Sequence, residues 1–379
     1  MVIFSEVNPF KRLKIENIVS LMKPCYILSR IHGIHPYSYS NVSISLSKSW
    51  YFASLIIMAV YLGSGVFILY QIDVSGTLRY EYIPGLLQGN SYVIISAVLG
   101  FWNLLYTVPR LSFLQSLLKI SSNIPKEAFQ KIGLFIYIKD IFGFIFLVGQ
   151  IPNIYDKNIY VAGSKAHSLF ATLLVFLTDG LYMNIVSVLL ICFKNINNNL
   201  IKLKNNIIAK ENQLLVSFFH ERNNSLSALK LHSIKEMHFA ISEVVEKLNS
   251  TFSFPIVASL ILTFAEVTFS LYFYLLHTRS DKKINLEKQI WYSYFITSVS
   301  YYSVKLTALI WVCQLNKNEV LTTGSLVHEI LLNTDEPQFK DELQLFSLQI
   351  LQRDNSLKAR GISLDASLLT KVLNNFQIK

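Results

Sequence analysis

Apolar residues run unbroken through long parts of this chain, where a soluble amphipathic helix would alternate them with polar ones. Residues 49–72 contain no charged side chain, and neither do residues 82–109. Four further stretches contain very few. Residues 132–152 carry the neighbours Lys139 and Asp140, 166–193 carry Asp179, 253–276 carry Glu266, and 289–314 carry Lys305. A helix of about 20 mostly apolar residues crosses ~30 Å of hydrocarbon with every backbone group satisfied internally. The pattern therefore predicts an all-α polytopic membrane bundle with six spans at those positions. A large soluble bundle with buried helices is the alternative, and two long charge-free runs speak against it.

Between the fourth and fifth spans, residues 194–252 are too patterned for a linker. Ile234, Met237, Ile241, Val244, Leu248 and Phe252 recur in steps of three and four, which places them on one helix face. No strong breaker intervenes before Pro255, so this helix is expected to run on into the fifth span. After the sixth span, Leu326, Ile330 and Leu331 form a second amphipathic stretch. Leu343, Phe346 and Ile350 follow the Asp335–Glu336–Pro337 interruption. The expected organisation is an N-terminal segment 1–48, a membrane domain 49–314 that includes the long loop 194–252, and a tail 315–379. Helical extensions of this kind suit an assembly platform, and an ordinary helical hairpin without a partner fits them equally. No internal repeat is visible, so the inverted halves common among transporters find no support.

Composition agrees with lipid as the main solvent. Only 15% of the 379 residues are charged and 52% are apolar, with a mean hydropathy of +0.40, whereas soluble chains carry about 25% charge. Lys and Arg are unevenly shared among the connections. The N-terminal segment holds six, the loops after spans two and four hold four and eight, and the tail holds seven. The three intervening loops hold one, two and four. Basic residues gather on the cytoplasmic side, so both termini are expected there. The net charge of +10 is mostly this asymmetry. With no zinc-finger or RNP-type motif beside it, no nucleic-acid partner is expected. Cys25, Cys192 and Cys313 would all face a reducing compartment, and no structural disulfide is expected.

Enzyme signatures are missing from the sequence: no HExxH, Walker loop, GxSxG or metal-spaced Cys pair occurs. No catalytic residue, metal or cofactor is expected. Ionisable groups inside spans are costly and mark functional candidates, here Lys139, Asp140, Asp179, Glu266 and Lys305. They could line a polar cavity, or they could form interhelical ion pairs and neutral buried carboxyls. The outer halves of spans two to six also mix flat apolar with hydrogen-bonding side chains. Tyr92, Gln150, His167, Phe170, Phe269, Tyr272, Trp291 and Tyr294 are the candidate ligand-binding residues. Interfacial aromatic belts use the same residue types.

Several segments resemble the insect gustatory receptor family, relatives of the insect odorant receptors. Met22–Pro36 (MKPCYILSRIHGIHP) looks like the family's Pro, then Arg-Ile-x-Gly-x-x-Pro entry to its first span. Leu231-His-Ser-Ile-Lys and Leu248-Asn-Ser-Thr-Phe-Ser-Phe254 resemble the helix leading into its fifth. Glu342-Leu-Gln-Leu-Phe-Ser-Leu-Gln-Ile350 and Gly361-Ile-Ser-Leu-Asp-Ala-Ser-Leu-Leu369 are similar to the segments before and at its last helix. The resemblance implies a multi-pass plasma-membrane receptor for a small-molecule tastant. It also implies a cation-channel subunit, assembled as a homo- or hetero-tetramer with other gustatory receptors in the lipid bilayer. A six-span transporter of a small solute is the alternative. Family members line their pore with a seventh helix. Residues 364–379 are sixteen, with two Lys, one Asp and two Asn, too few and too polar to span. The expectation is a chain without its own pore helix, either incomplete or unable to conduct alone.

Overall fold

The computed structural model describes residues 15, 17–40, 43–78, 83–154, 156–211, 220–278, 286–368 and 370. Side chains are described for these except 153, 208–211, 220–226, 277 and 286–294. Among the described residues, nine α-helices carry the fold: α1 (Ile18–Ile31), α2 (Lys48–Asp73), α3 (Ile83–Leu105), α4 (Thr107–Ser121), α5 (Lys126–Gln150), α6 (Ile159–Glu211), α7 (His220–Thr278), α8 (Leu286–Leu332) and α9 (Pro337–Gln352). Two short antiparallel hairpins complete it. The first joins β1 (Tyr37–Tyr39) to β2 (Ile44–Leu46), and the second joins β3 (Lys358–Ala359) to β4 (Ile362–Ser363).

Six helices, α2, α3, α5, α6, α7 and α8, are long and apolar enough to cross a membrane. The chain is a multi-pass membrane protein. The last three far exceed a bilayer: α6 alone has 53 residues, about 80 Å of helix against ~30 Å of hydrocarbon. Helix α7 continues through Pro255 without a break, as the spacing before that residue anticipates. The break after Leu332 falls at the acidic interruption, where Pro337 opens α9 at a position that needs no N–H donor.

Helix α6 is the centre of the bundle, packed by α1, α3, α5, α7 and α8. Its apolar segment is almost wholly enclosed, whereas α2, α5 and much of α7 leave large side chains such as Phe52, Val60, Phe144 and Ile145 exposed. Such surface is stable only against lipid or another chain. The main core cluster runs along the inner part of the bundle through Leu189, Phe193, Leu248, Phe252 and Phe346, and a second gathers Met58, Leu99, Phe176 and Tyr301.

The N-terminal segment is built into this bundle. Asn17 and Ser20 cap α1 reciprocally, with Ser20 N–H donating to Asn17 Oδ1 at 2.9 Å and Asn17 N–H to Ser20 Oγ at 3.1 Å. The helix ends in a left-handed Gly33 (φ 73°), which lets Ile34 N–H reach back to Ser29 O at 2.8 Å. A Cβ at Gly33 would also lie 3.3 Å from Ser54 Cα of α2. The returning hairpin is then tied to α4: Tyr37 Oη donates to Thr107 O at 2.6 Å and Gln115 Nε2 to Ile44 O at 2.9 Å. At the other end of the chain, Asn249 of α7 holds the strand entering the second hairpin. Its Nδ2 donates to Ser356 O at 2.8 Å, and its Oδ1 accepts from Lys358 N–H at 3.1 Å. Residues 371–379, where the sequence raises the question of a final helix, lie outside the described residues.

Candidate ligand site

Of the intramembrane charges, Asp179 and Lys305 pair across helices, Lys139 and Asp140 pair within α5, and Lys139, Asp179 and Lys305 border a cavity. On α6, Asp179 is buried; its Oδ2 accepts from Lys305 Nζ of α8 at 2.9 Å and from Ser259 Oγ of α7 at 2.5 Å. Lys305 Nζ also reaches Ser259 Oγ at 3.1 Å and lies 5.5 Å from the centre of the Tyr302 ring. Three helices therefore meet on one carboxylate. Asp179 Oδ1 has no hydrogen-bond partner. Lys139 on α5 pairs with its neighbour Asp140 and lies against Gly180 of α6. Glu266 is elsewhere, on α7, where Gln88 Nε2 of α3 donates to its Oε2 at 2.9 Å.

The cavity has a volume of about 250 Å³ and lies between α5, α6 and α8. Its walls are Phe135, Phe142, Phe176, Met183, Tyr301 and Val304, with Lys139, Asp179 and Lys305 at its polar edge. Gly143 makes room for one of these walls: a Cβ there would stand 2.0 Å from Phe176 Cε2, so the ring packs close to the α5 backbone. The charges nearby cancel, two ammonium groups against two carboxylates. Apolar walls with a few convergent polar groups are the general make-up of a small-molecule site, and this volume falls just below the ~300 Å³ lower range of drug-sized pockets.

Three of the candidate aromatic and polar residues lie where α6 meets α2 and α3, and none of them lines this cavity. His167 stacks on Tyr61 at 4.7 Å, and its Nδ1 lies 2.9 Å from Ser64 Oγ. Phe170 packs on Tyr61 at 4.9 Å and on His32 at 4.9 Å. Tyr92 Oη is 2.5 Å from Thr172 Oγ1. These side chains are engaged with one another along the face of α6 that meets α2 and α3. Gln150 is half-buried near the end of α5 and Phe269 half-buried on α7, while Tyr272 is exposed. The side chains of Trp291 and Tyr294 lie outside the described residues. Sequence reasoning missed Phe142, Gly143, Phe176 and Tyr301. Tyr301 stacks on Phe146 at 3.9 Å and joins the cavity to the Tyr92 cluster. A lone glycine amid the phenylalanines of an apolar run was the available signal, because it marks close approach.

Known proteins share both fold and sequence pattern. The structure is similar to the insect olfactory receptor OR5 of Machilis hrabei in complex with eugenol, with a TM-score of 0.69 at 12% identity over 95% of this chain and 96% of that one. A second structure of the same receptor gives a TM-score of 0.68 at 10% identity, over 94% of this chain and 95% of that one. A Drosophila melanogaster protein named gustatory receptor 28a is 22% identical over 163 residues, 41% of this chain. The match spans 36% of that relative's length. The sequence profile of the 7tm chemosensory receptors matches residues 22–373, nearly the whole chain. With six long apolar helices around a buried polar centre and a profile match of that extent, the chain belongs to the 7tm chemosensory receptor family.

Proposed function

We propose that this chemoreceptor is of the gustatory type and binds a small tastant in the cavity between α5, α6 and α8. Binding there gates cation flow through a tetramer in the plasma membrane, formed with copies of itself or with other gustatory receptors. The observation that carries this reading is the cavity itself. Three helices that have to move relative to one another in any gating step meet at a single site. At its polar edge α6 and α8 are joined by the Asp179–Lys305 pair, to which Ser259 ties α7. A ligand seated against Phe142, Phe176 and Tyr301 touches all three and biases their packing, which is what a differential-affinity switch needs. The long extensions of α6, α7 and α8, together with α9, form the platform on which subunits assemble. A six-span solute transporter is not favoured by the family.

Calcium imaging of cells that express the chain, alone and together with a second family member, tests the proposal across a panel of sugars, bitter compounds and other tastants. A concentration-dependent response is expected, with Ala308→Phe shifting it to at least tenfold higher concentration. Ala308 lines the cavity, and a ring there occupies the ligand's volume. A response that survives Ala308→Phe unchanged would place the ligand elsewhere.

A further inference from the structure

A second cavity, about 500 Å³, opens along α1 where the first hairpin folds back on it. Its chemistry is opposite to that of the ligand cavity. Lys23 and Arg30 line it together with Asn17, Ser20, Ser38 and Tyr39, and among the described residues no carboxylate does. Arg30 is held in place by donating from Nη2 to Tyr37 O and by lying 5.2 Å from the Trp50 ring centre and 5.9 Å from that of Tyr39. Its Nε is buried without a partner, and so is Tyr39 Oη. The cavity is therefore lined by two cations, one of which, Arg30, keeps an unsatisfied N–H, with the unsatisfied hydroxyl of Tyr39 beside it. An oxyanion completes that set, and a guanidinium fork suits phosphate oxygens in particular.

The surroundings identify the source of the anion. Ile27, Ile31 and Trp50 are 48%, 57% and 40% exposed beside the cavity. Trp50 stands in the first turn of α2, where a spanning helix enters the bilayer. A free phosphate would fill the polar half and leave this apolar rim uncovered, whereas a phospholipid covers both, headgroup on Arg30 and Lys23, chains on the isoleucines. We infer that this cavity binds the phosphate of an anionic phospholipid and that the bound lipid fastens α1 and its hairpin to the bundle. The basic side of a membrane protein meets the more anionic leaflet, so the ligand is at hand.

The full chain, reconstituted in nanodiscs of phosphatidylcholine alone or mixed with phosphatidylserine or phosphatidylinositol 4,5-bisphosphate, provides the test. Native mass spectrometry after detergent release counts retained lipid, and thermal unfolding reads its effect. Retention of anionic lipid and a higher midpoint in the mixed discs are expected. Lys23→Glu, at an exposed position, should lower retention about tenfold, and Lys23→Arg should leave it intact. Inorganic phosphate added to phosphatidylcholine discs separates the two sources: if it raises the midpoint as far as anionic lipid does, the lipid assignment is overturned. Equal retention by wild type and Lys23→Glu, or equal midpoints in the two disc types, overturns the site itself.

Discussion

Asp179 takes both of its hydrogen bonds on one oxygen, and Lys305 is its ion-pair partner inside the bundle. Removing one partner of such a pair leaves the other charge uncompensated and costs about 3–5 kcal/mol, while removing both costs far less. Lys305→Met is therefore expected to lower the thermal midpoint sharply in detergent, and Asp179→Asn with Lys305→Met to recover most of the loss. Midpoints that add independently would show that the two groups are not coupled. His238 on the long extension of α7 offers a different readout. Its ring lies between Gln349 Nε2, 3.1 Å from Nδ1, and Asn355 Nδ2, 3.3 Å from Nε2, with Phe193 and Phe346 against its faces and edges. Burial pushes its pKa down to about 4 from the ordinary 6.5. Between those values the unfolded chain takes up a proton that the folded chain refuses, so stability is complete above pH 6.5 and falls as pH drops toward 4. His238→Gln should flatten that part of the stability–pH curve, measured by thermal unfolding from pH 7.5 to 4.5. An unchanged slope would mean that the ring titrates normally.

At the level of elements, what could be read from the sequence was what depends on one segment at a time. The first charge-free run became α2 and the second α3, though its last residues, Thr107–Pro109, open the separate helix α4; the three-and-four spacing from Ile234 became the continuous α7, and Pro337 marked the start of α9. What could not be read depends on which faces meet. Nothing in the spacing says that Lys305 pairs with Asp179 rather than Glu266, since that choice is fixed by how α6, α7 and α8 are turned toward one another. The same holds for the ligand residues. Tyr92, His167 and Phe170 face inward on their helices, whereas Tyr272 belongs to the same aromatic-rich pattern yet points outward. The docking of the N-terminal segment was equally hidden, because it rests on a few single side chains, Arg110 chief among them. Arg110 is fully buried at the start of α4, donating to Ile34 O at 3.2 Å and to Asn103 Oδ1 at 2.6 Å, with its guanidinium 5.3 Å from the Phe252 ring centre. It joins the N-terminal turn, α3, α4 and α7. Arg110→Leu strands two buried acceptors at about 1–3 kcal/mol each. Faster amide exchange confined to residues 32–47 is the expected signature by mass spectrometry, and uniform destabilisation would deny Arg110 this local role.

For the molecule as a whole, the two ends of the bundle are distinguishable by structure as well as by charge. At one end Lys247 Nζ of α7 reaches Ser116 Oγ of α4 at 3.2 Å, and α9 packs on α7 and α8. At the opposite end Asn90 of α3 holds Asp73 of α2 at 2.9 Å, and Lys165 pairs with Asp156 at 3.0 Å. The excess of Lys and Arg lies at the first end, so the positive-inside rule makes that end the one expected in the cytoplasm. The six crossings among the described residues, an even number, then keep the N-terminal unit and α9 on the same face. The native thiols do not obscure a labelling test, because Cys25, Cys192 and Cys313 are all buried. Single cysteines at exposed positions of each end, Thr77→Cys and Lys157→Cys against Lys119→Cys and Lys340→Cys, can be probed with a membrane-impermeant maleimide on intact cells. The first two are expected to label at once and the second two only after permeabilisation. Labelling in the reverse order would invert the receptor, placing the long helical platform outside the cell and the basic α1 cavity in the outer leaflet. Labelling of Lys119→Cys and Lys340→Cys from opposite sides would break the even count of crossings, and with it the single bundle in which α6 is surrounded by its neighbours.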